Sequence, residues 1–415
     1  MPCPLYAGDN WLLSTGGEVR WRYMDQFNTP QLNNKANTYD LTRERFYADL
    51  WITPALRIYA ELLSAQTMFQ DAPPAPGNQN LTTLLNAFVE AKGGETAGAP
   101  VYTRLGRQEL LFGSQRLISP LPWINTLRTF DGVRVYRASA KFDFDAFWVQ
   151  PAFPNTPTAT ATFLDHNRSF AGAWATYRPN SDTFLDAYYL FLDNVPVPGQ
   201  NYLGPTPPSV DTTDTLGLAY RGKKEGFLWD MEEMFQTGQY NNRPILADAT
   251  TAGCGYHFAD VLMHPTFWVY YDYASGSENP TGGHYYTTFN QLFPFSHYYL
   301  GWLDLVARQN IQDFNAHLYL YPTKWTRCWL QYHHFELANS HDALYNANGT
   351  PIARDPTGAA GSNVGDELDF IVNFHLLSTS DLMMGYSHLF PGLFLLRTGT
   401  REPSDQVFVQ YSLRF

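Results

Sequence analysis

Arg20 and Arg22 stand two residues apart in GGEVRWRYMDQF, and Arg43 and Arg45 repeat that spacing in TRERFYADL. Side chains two apart share a face of an extended strand, so each pair projects two guanidiniums in one direction. A planar guanidinium grips a carboxylate through two parallel hydrogen bonds, and rings of such groups select anions at close range. The chemistry these residues offer is therefore recognition and guidance of an anion. The alternate positions carry Val19, Trp21 and Tyr23 in the first run and Phe46, Ala48 and Leu50 in the second. That face suits hydrocarbon, where an arginine at mid-depth would cost about 2–4 kcal/mol. Glu44 interrupts it and has to lie at headgroup level or beyond.

Other constellations offer less. His333 and His334 are adjacent, so they point to opposite faces of a strand and cannot share one metal ion. Asp230 and Glu232 in LWDMEEMF share a face and could serve glycoside cleavage, but carboxylates facing a watery lumen explain them more simply. Ser296 and His297 adjoin without a third group to orient them, and no Gly-rich phosphate loop, G-x-S-x-G elbow or HExxH is present. Cys3, Cys254 and Cys328 are too few and too scattered for a disulfide framework or a zinc site. No cofactor, metal or catalytic activity is expected.

The elements that must position the arginines read as strands. Period-two runs lie near 16–27, 39–54, 55–70, 82–92, 100–112, 129–139, 141–151, 167–178, 182–193, 213–224, 225–238, 245–259, 263–276, 309–322, 323–339, 364–379, 380–390 and 404–415. They number about 18, and most exceed the roughly 5–6 residues of an ordinary strand, fitting instead the roughly 9–11 of a tilted membrane crossing. Charged residues are 16% of the chain, against roughly 25% in soluble globular proteins, and aromatics are also 16%. No apolar run is long enough for a spanning helix.

Connections alternate between tight (53–55, 140, 179–181, 264–265, 322–324, 377–380) and long (28–38, 71–81, 113–128, 152–166, 194–212, 277–308, 340–363). Short periplasmic turns and long extracellular loops produce that alternation in an up-and-down barrel. The connection at 93–99 is longer than the rule asks, and the one at 239–244 shorter. Gly- and Pro-rich stretches such as DAPPAPGNQ fall in the long class. Aromatics at strand ends (Trp11, Trp51, Trp123, Trp229, Tyr270, Tyr271, Tyr298, Tyr299) suit the two interfacial girdles. The final strand, QVFVQYSLRF, closes on Phe415, as in the assembly signal of bacterial outer-membrane barrels.

RLGRQELLFGSQRLISPLPWINTLRTFDGVRVYR (104–137) and TTFNQLFPFSHYYLGWLDLVARQNIQDF (287–314) resemble the alginate export family of outer-membrane porins, over nearly the whole chain. The resemblance implies an 18-stranded passive exporter whose polar lumen is narrowed by inward-folded loops and an arginine-rich constriction. By motif it carries Arg107, Glu109, Arg116, Arg128, Asp131 and Arg134 onto the family's recurring charged positions. Arg107 is expected to face water inside the barrel, and Arg116 to fold inward with its loop.

The expectation is one all-β transmembrane barrel domain over 1–415, of which 1–15 form a periplasmic N-terminal segment, in the outer membrane of a Gram-negative-type bacterium. No secretion signal is visible in MPCPLYAGDN. Its solute would be anionic, an alginate-like polysaccharide among the candidates. Partners would be outer-membrane lipid, the anionic or carbohydrate solute and a periplasmic export partner, with no nucleic acid; the resemblance favours a monomer. The formal net charge of -12 matters less than the local wall, since charges are screened over about 8 Å at physiological salt. Three readings compete: arginines bracing acids across strands (Arg107 with Glu109, Arg134 with Asp131), a secreted soluble β-protein that binds or cleaves carbohydrate, and a plugged barrel with a structural or adhesive role.

Overall fold

The computed structural model describes residues 3–8, 11–29, 35–72, 75, 77–96, 98–153, 163–164, 168–195, 211–399 and 402–415. One sheet of 20 strands dominates them. Two of its members are accessory, Cys3–Gly8 folded back along Trp11–Thr29 and the short Phe163–Leu164, which leaves the 18 strands of a closed transmembrane antiparallel barrel.

Each strand pairs with its sequence neighbour, and the first (Trp11–Thr29) meets the last (Ser404–Arg414) from Glu18 opposite Arg414 to Phe27 opposite Asp405. Phe415 extends this seam, its N–H donating to the Gly17 carbonyl at 3.1 Å and its carbonyl accepting from Gly17 N at 2.9 Å. Gly17 is required there, since a Cβ would stand 2.8 Å from the Phe415 ring and 2.3 Å from the Arg45 carbonyl.

Alternation sorts the two faces. Val19, Trp21 and Phe46 point outward and are exposed, while Arg20, Arg22, Met24 and Arg43 point inward and are buried. Outward residues continue round the wall as Val89, Leu105, Trp148, Leu216, Phe314 and Phe370. Glu44 also faces out, nine positions above Thr53 at the periplasmic end of its strand, Lys35–Thr53. Asp40 and Thr42 follow it toward the outer rim, so it marks the upper edge of the apolar band. Glu233 faces out too, with the Thr250 hydroxyl donating to it at 2.6 Å.

Both irregular connections of the sequence pattern have a physical cause. The fourth strand (Asn80–Thr96) runs on to Thr96, which pairs with Ala99, so the long stretch at 93–99 shrinks to a tight turn. On the outer rim, Tyr240 pairs with Arg243 across Asn241 and Asn242, whose φ values are 49° and 62°. Asparagine tolerates that left-handed region, which a two-residue hairpin turn needs at both positions. The pair at 264–265 belongs to a wider periplasmic connection, 258–265, closed by Phe258 N donating to Pro265 O at 2.8 Å. Of the long loops, most of 152–166 and 194–212 and the centre of 28–38 lie outside the described residues.

The lumen is largely filled. The loops 109–128 and 275–310 turn inward and pack Leu110, Phe112, Ile118, Phe289, Phe293 and Leu303 against wall residues such as Phe130, Phe147 and Phe170. A third loop, 337–362, adds Leu344 and Ala360 to that core. Several aromatics expected in the girdles point inside instead: Trp123, Tyr298 and Tyr299 ride on these loops, and Trp51 and Tyr270 occupy inward strand positions. Trp229 and Tyr271 do face out. No helix among the described residues is long and apolar enough to cross a membrane, so strands make the crossings.

Candidate functional site

Arg20, Arg22 and Arg43 point into the barrel, but they are covered. Arg20 donates to the carbonyls of Pro122, Trp123 and Ile124 at 3.1–3.3 Å and to Asn125 Oδ1 at 2.9 Å. Arg22 donates to Trp123 O at 2.8 Å and to Gln410 Oε1 of the last strand, and its guanidinium carbon lies 3.4 Å from the Trp123 ring centroid. Arg43 bridges Glu18 at 2.5 Å and the carbonyls of Pro122 and Ile124. Backbone carbonyls of a loop buried in a lumen need donors. These three arginines supply them and clamp the tip of loop 109–128 to the wall.

The loop's own arginines complete the clamp. Arg116 reaches Asp230 at 2.7 Å and Glu232 at 3.1 Å, with the Tyr299 ring centroid 4.6 Å from its guanidinium carbon. Burial opposes its charge, but Asp230, Tyr299 and Glu232 outweigh that and hold the guanidinium well above its usual pKa. Arg128 finds only carbonyls, Ser119 O at 3.3 Å and Pro294 O at 3.2 Å, tying one inward loop to the other. Burial, with Arg168 nearby, pushes it down to about 9.

A second set of arginines is partly open. Arg45 pairs with Glu61 at 2.8 Å and Glu109 at 3.4 Å, Arg57 with Asp49 at 2.7 Å and Arg104 with Glu90 at 2.5 Å. Arg134 pairs with Asp145 at 2.5 Å, Arg178 with Asp143, and Arg221 with Asp186. All six occupy inward positions along one wall, with side chains 16–26% exposed, whereas Glu61, Glu90 and Asp186 beneath them are nearly closed off. The acids fix the guanidiniums in place, and the guanidiniums present themselves to the lumen. Arg45, Arg57, Arg104, Tyr59 and Glu109 together line a cavity of about 280 Å³. Arg57, Arg178 and Arg221 stand within four residues of the periplasmic turns at 54–55, 181–182 and 225–226, so the row descends toward that mouth.

Arg107 and Asp131 correct the expectation. They pair with each other at 2.7 Å on the outer surface of the barrel, near its extracellular rim. The reason is register: Arg104 faces in, Leu105 opposite Val133 faces out at 63% exposure, and Arg107 three residues on from Arg104 must share the outer face. The bracing pairs likewise differ from those expected, since Glu109 meets Arg45 and Arg134 meets Asp145. Arg57, Arg104, Arg178 and Arg221 went unnoticed in the sequence. Period-two alternation within LRIYAE and VYTRLG carried the signal for the first two.

His333 and His334 point to opposite faces, bonded to Asp313 and Asp366, each at 2.8 Å. Asp230 and Glu232 are both engaged by Arg116.

A closed barrel with a pinned inner loop and a charged wall defines an outer-membrane channel. Residues 11–410 match the alginate export family, and the chain belongs to that family. Its fold is similar to that of Pseudomonas aeruginosa OccD3 (OpdP), with a TM-score of 0.62 at 9% identity, covering 100% of this chain and 94% of that one. It is also similar to Acinetobacter baumannii OccAB2, with a TM-score of 0.62 at 12% identity, covering 97% and 98% of the two chains. A search of curated protein sequences gives no match.

Proposed function

We propose that this channel gives passive passage to an anionic solute along the row formed by Arg45, Arg57, Arg104, Arg134, Arg178 and Arg221. The observation that carries the reading is a row of six inward guanidiniums, three of which (Arg45, Arg104 and Arg221) are more open to the lumen than the buried carboxylates Glu61, Glu90 and Asp186 that hold them. A carboxylated solute moving down the row exchanges one two-pronged partner for the next without crossing bare hydrocarbon. Membership of the alginate export family supports an alginate-like polysaccharide as that solute. Closure of the wall by the chain's own first and last strands supports a monomer as the working unit.

Reversal potentials across a planar bilayer under a salt gradient test the reading. Arg45→Gln, Arg57→Gln and Arg104→Gln are each expected to shift selectivity away from anions, and alginate oligomers to block more strongly than neutral oligosaccharides of equal length. Unchanged reversal potentials in all three variants would overturn it. Absence of any current would select a barrel sealed by its loops, the reading that the apolar packing of 109–128 and 275–310 favours.

A further inference from the structure

At the extracellular end, at the other end of the strands that carry Arg178 and Arg221, the tops of the eighth to twelfth strands and the two loops 275–310 and 337–362 enclose a cavity of about 430 Å³. That volume lies within the roughly 300–1,000 Å³ of small-molecule sites. Much of its lining is aromatic or aliphatic: Tyr286 stacks on Tyr240 with ring centroids 3.7 Å apart and 11° between planes, and Leu192, Ile245 and Phe293 continue the surface.

Three polar atoms set into that lining are buried without a hydrogen-bond partner among the described residues: Asp211 Oδ1, Thr213 Oγ1 and Gln309 Oε1. Their residues are 6%, 1% and 8% exposed. Buried polar groups are normally paired, so these three are placed to bond to an occupant of the cavity. Two of the three are acceptors, and the third can act either way, so the occupant must bring several hydroxyl donors. It must also bring faces that tolerate aromatic and aliphatic walls.

We propose that this vestibule cavity is a binding site for an uncharged, hydroxyl-rich ring of the size of one or two sugar units, distinct from the arginine row. A sugar ring meets both requirements, since its hydroxyls radiate from the edge while its C–H faces are apolar. Arg168 also borders the cavity, donating to Asn194 Oδ1 at 2.6 Å, and the site does not depend on the anion reading.

Saturation-transfer NMR on the full chain in detergent micelles, with maltotriose as the probe, tests it. Saturation is expected at the ring C–H protons of maltotriose and not on a polyethylene glycol of similar mass. Thr213→Val and Gln309→Leu should each raise the dissociation constant about tenfold. Heat-modifiable migration reports that each variant is folded, and unaltered reversal potentials that the arginine row is untouched. No transfer to maltotriose, equal transfer to the glycol, or unchanged affinity in both variants would overturn the proposal. Failure of anion selectivity in the arginine variants would leave this result as it stood.

Discussion

Arginines of one chemistry divide here by what lies in front of them. Arg20, Arg22 and Arg43 face loop carbonyls and act as fasteners; Arg45, Arg57 and Arg104 face open lumen. Arg107 faces outward with Asp131. Reversal potentials should therefore be the same in Arg107→Gln as in the parent, although its motif carries the resemblance to a porin family. Arg116→Met strands two buried carboxylates, a loss of about 3–5 kcal/mol by the precedent of broken buried pairs. Chemical denaturation measures that loss. Adding Asp230→Asn and Glu232→Gln should recover much of the stability at neutral pH. No recovery in that triple variant would mean that Arg116 acts through packing on Tyr299 instead.

Strands obey a stricter rule than loops, because one residue of slip exchanges their faces. Leu105 lies between Val89 and Val133 on the lipid side. Leu105→Arg should cost about 2–4 kcal/mol in a folding titration into phospholipid vesicles, while Ala substitution there should cost far less. Gly17→Val should impair closure, because its side chain collides with Phe415 and the Arg45 carbonyl. Loss of the compact, heat-modifiable gel species is the expected sign. Strand number, the two faces and the short and long rims were all legible in the sequence, since period two and turn chemistry are local signals. The inward course of 109–128 and 275–310 was less so. Trp123 and Tyr299 looked like interfacial aromatics because nothing local distinguishes a ring that meets headgroups from one that meets Arg22 or Arg116.

Taken whole, the molecule carries a net charge of -12, yet the proposed passage runs along a line of cations. Screening reaches about 10 Å at 0.1 M salt and about 3 Å at 1 M, so guanidiniums bordering the path should keep part of their influence in strong salt. The anion-to-cation permeability ratio should fall between those concentrations without reaching that of the Arg45→Gln variant. A ratio insensitive to both salt and substitution would point to pore width as the selective element. The candidate row was one-third legible: Arg45 and Arg134 were found and Arg104 was passed over, while Arg57, Arg178 and Arg221 sit near tight turns in stretches with no motif to draw attention. Their partners come from neighbouring strands, and such pairings exist only once register is known.

Arg22 joins three pieces at once: its own strand, Gln410 on the strand that arrives last in the chain, and Trp123 at the loop tip. Biogenesis inherits an order from this. Arg22 gains its Gln410 acceptor, and the Trp302 carbonyl of loop 275–310 gains the Gln406 side-chain donor, only once the C-terminal strand has zipped onto the N-terminal one, so the inner loops are fully pinned only in the closed barrel. Narrowing is thus the closing act of assembly, and any variant that delays the seam should leave a transiently leaky membrane.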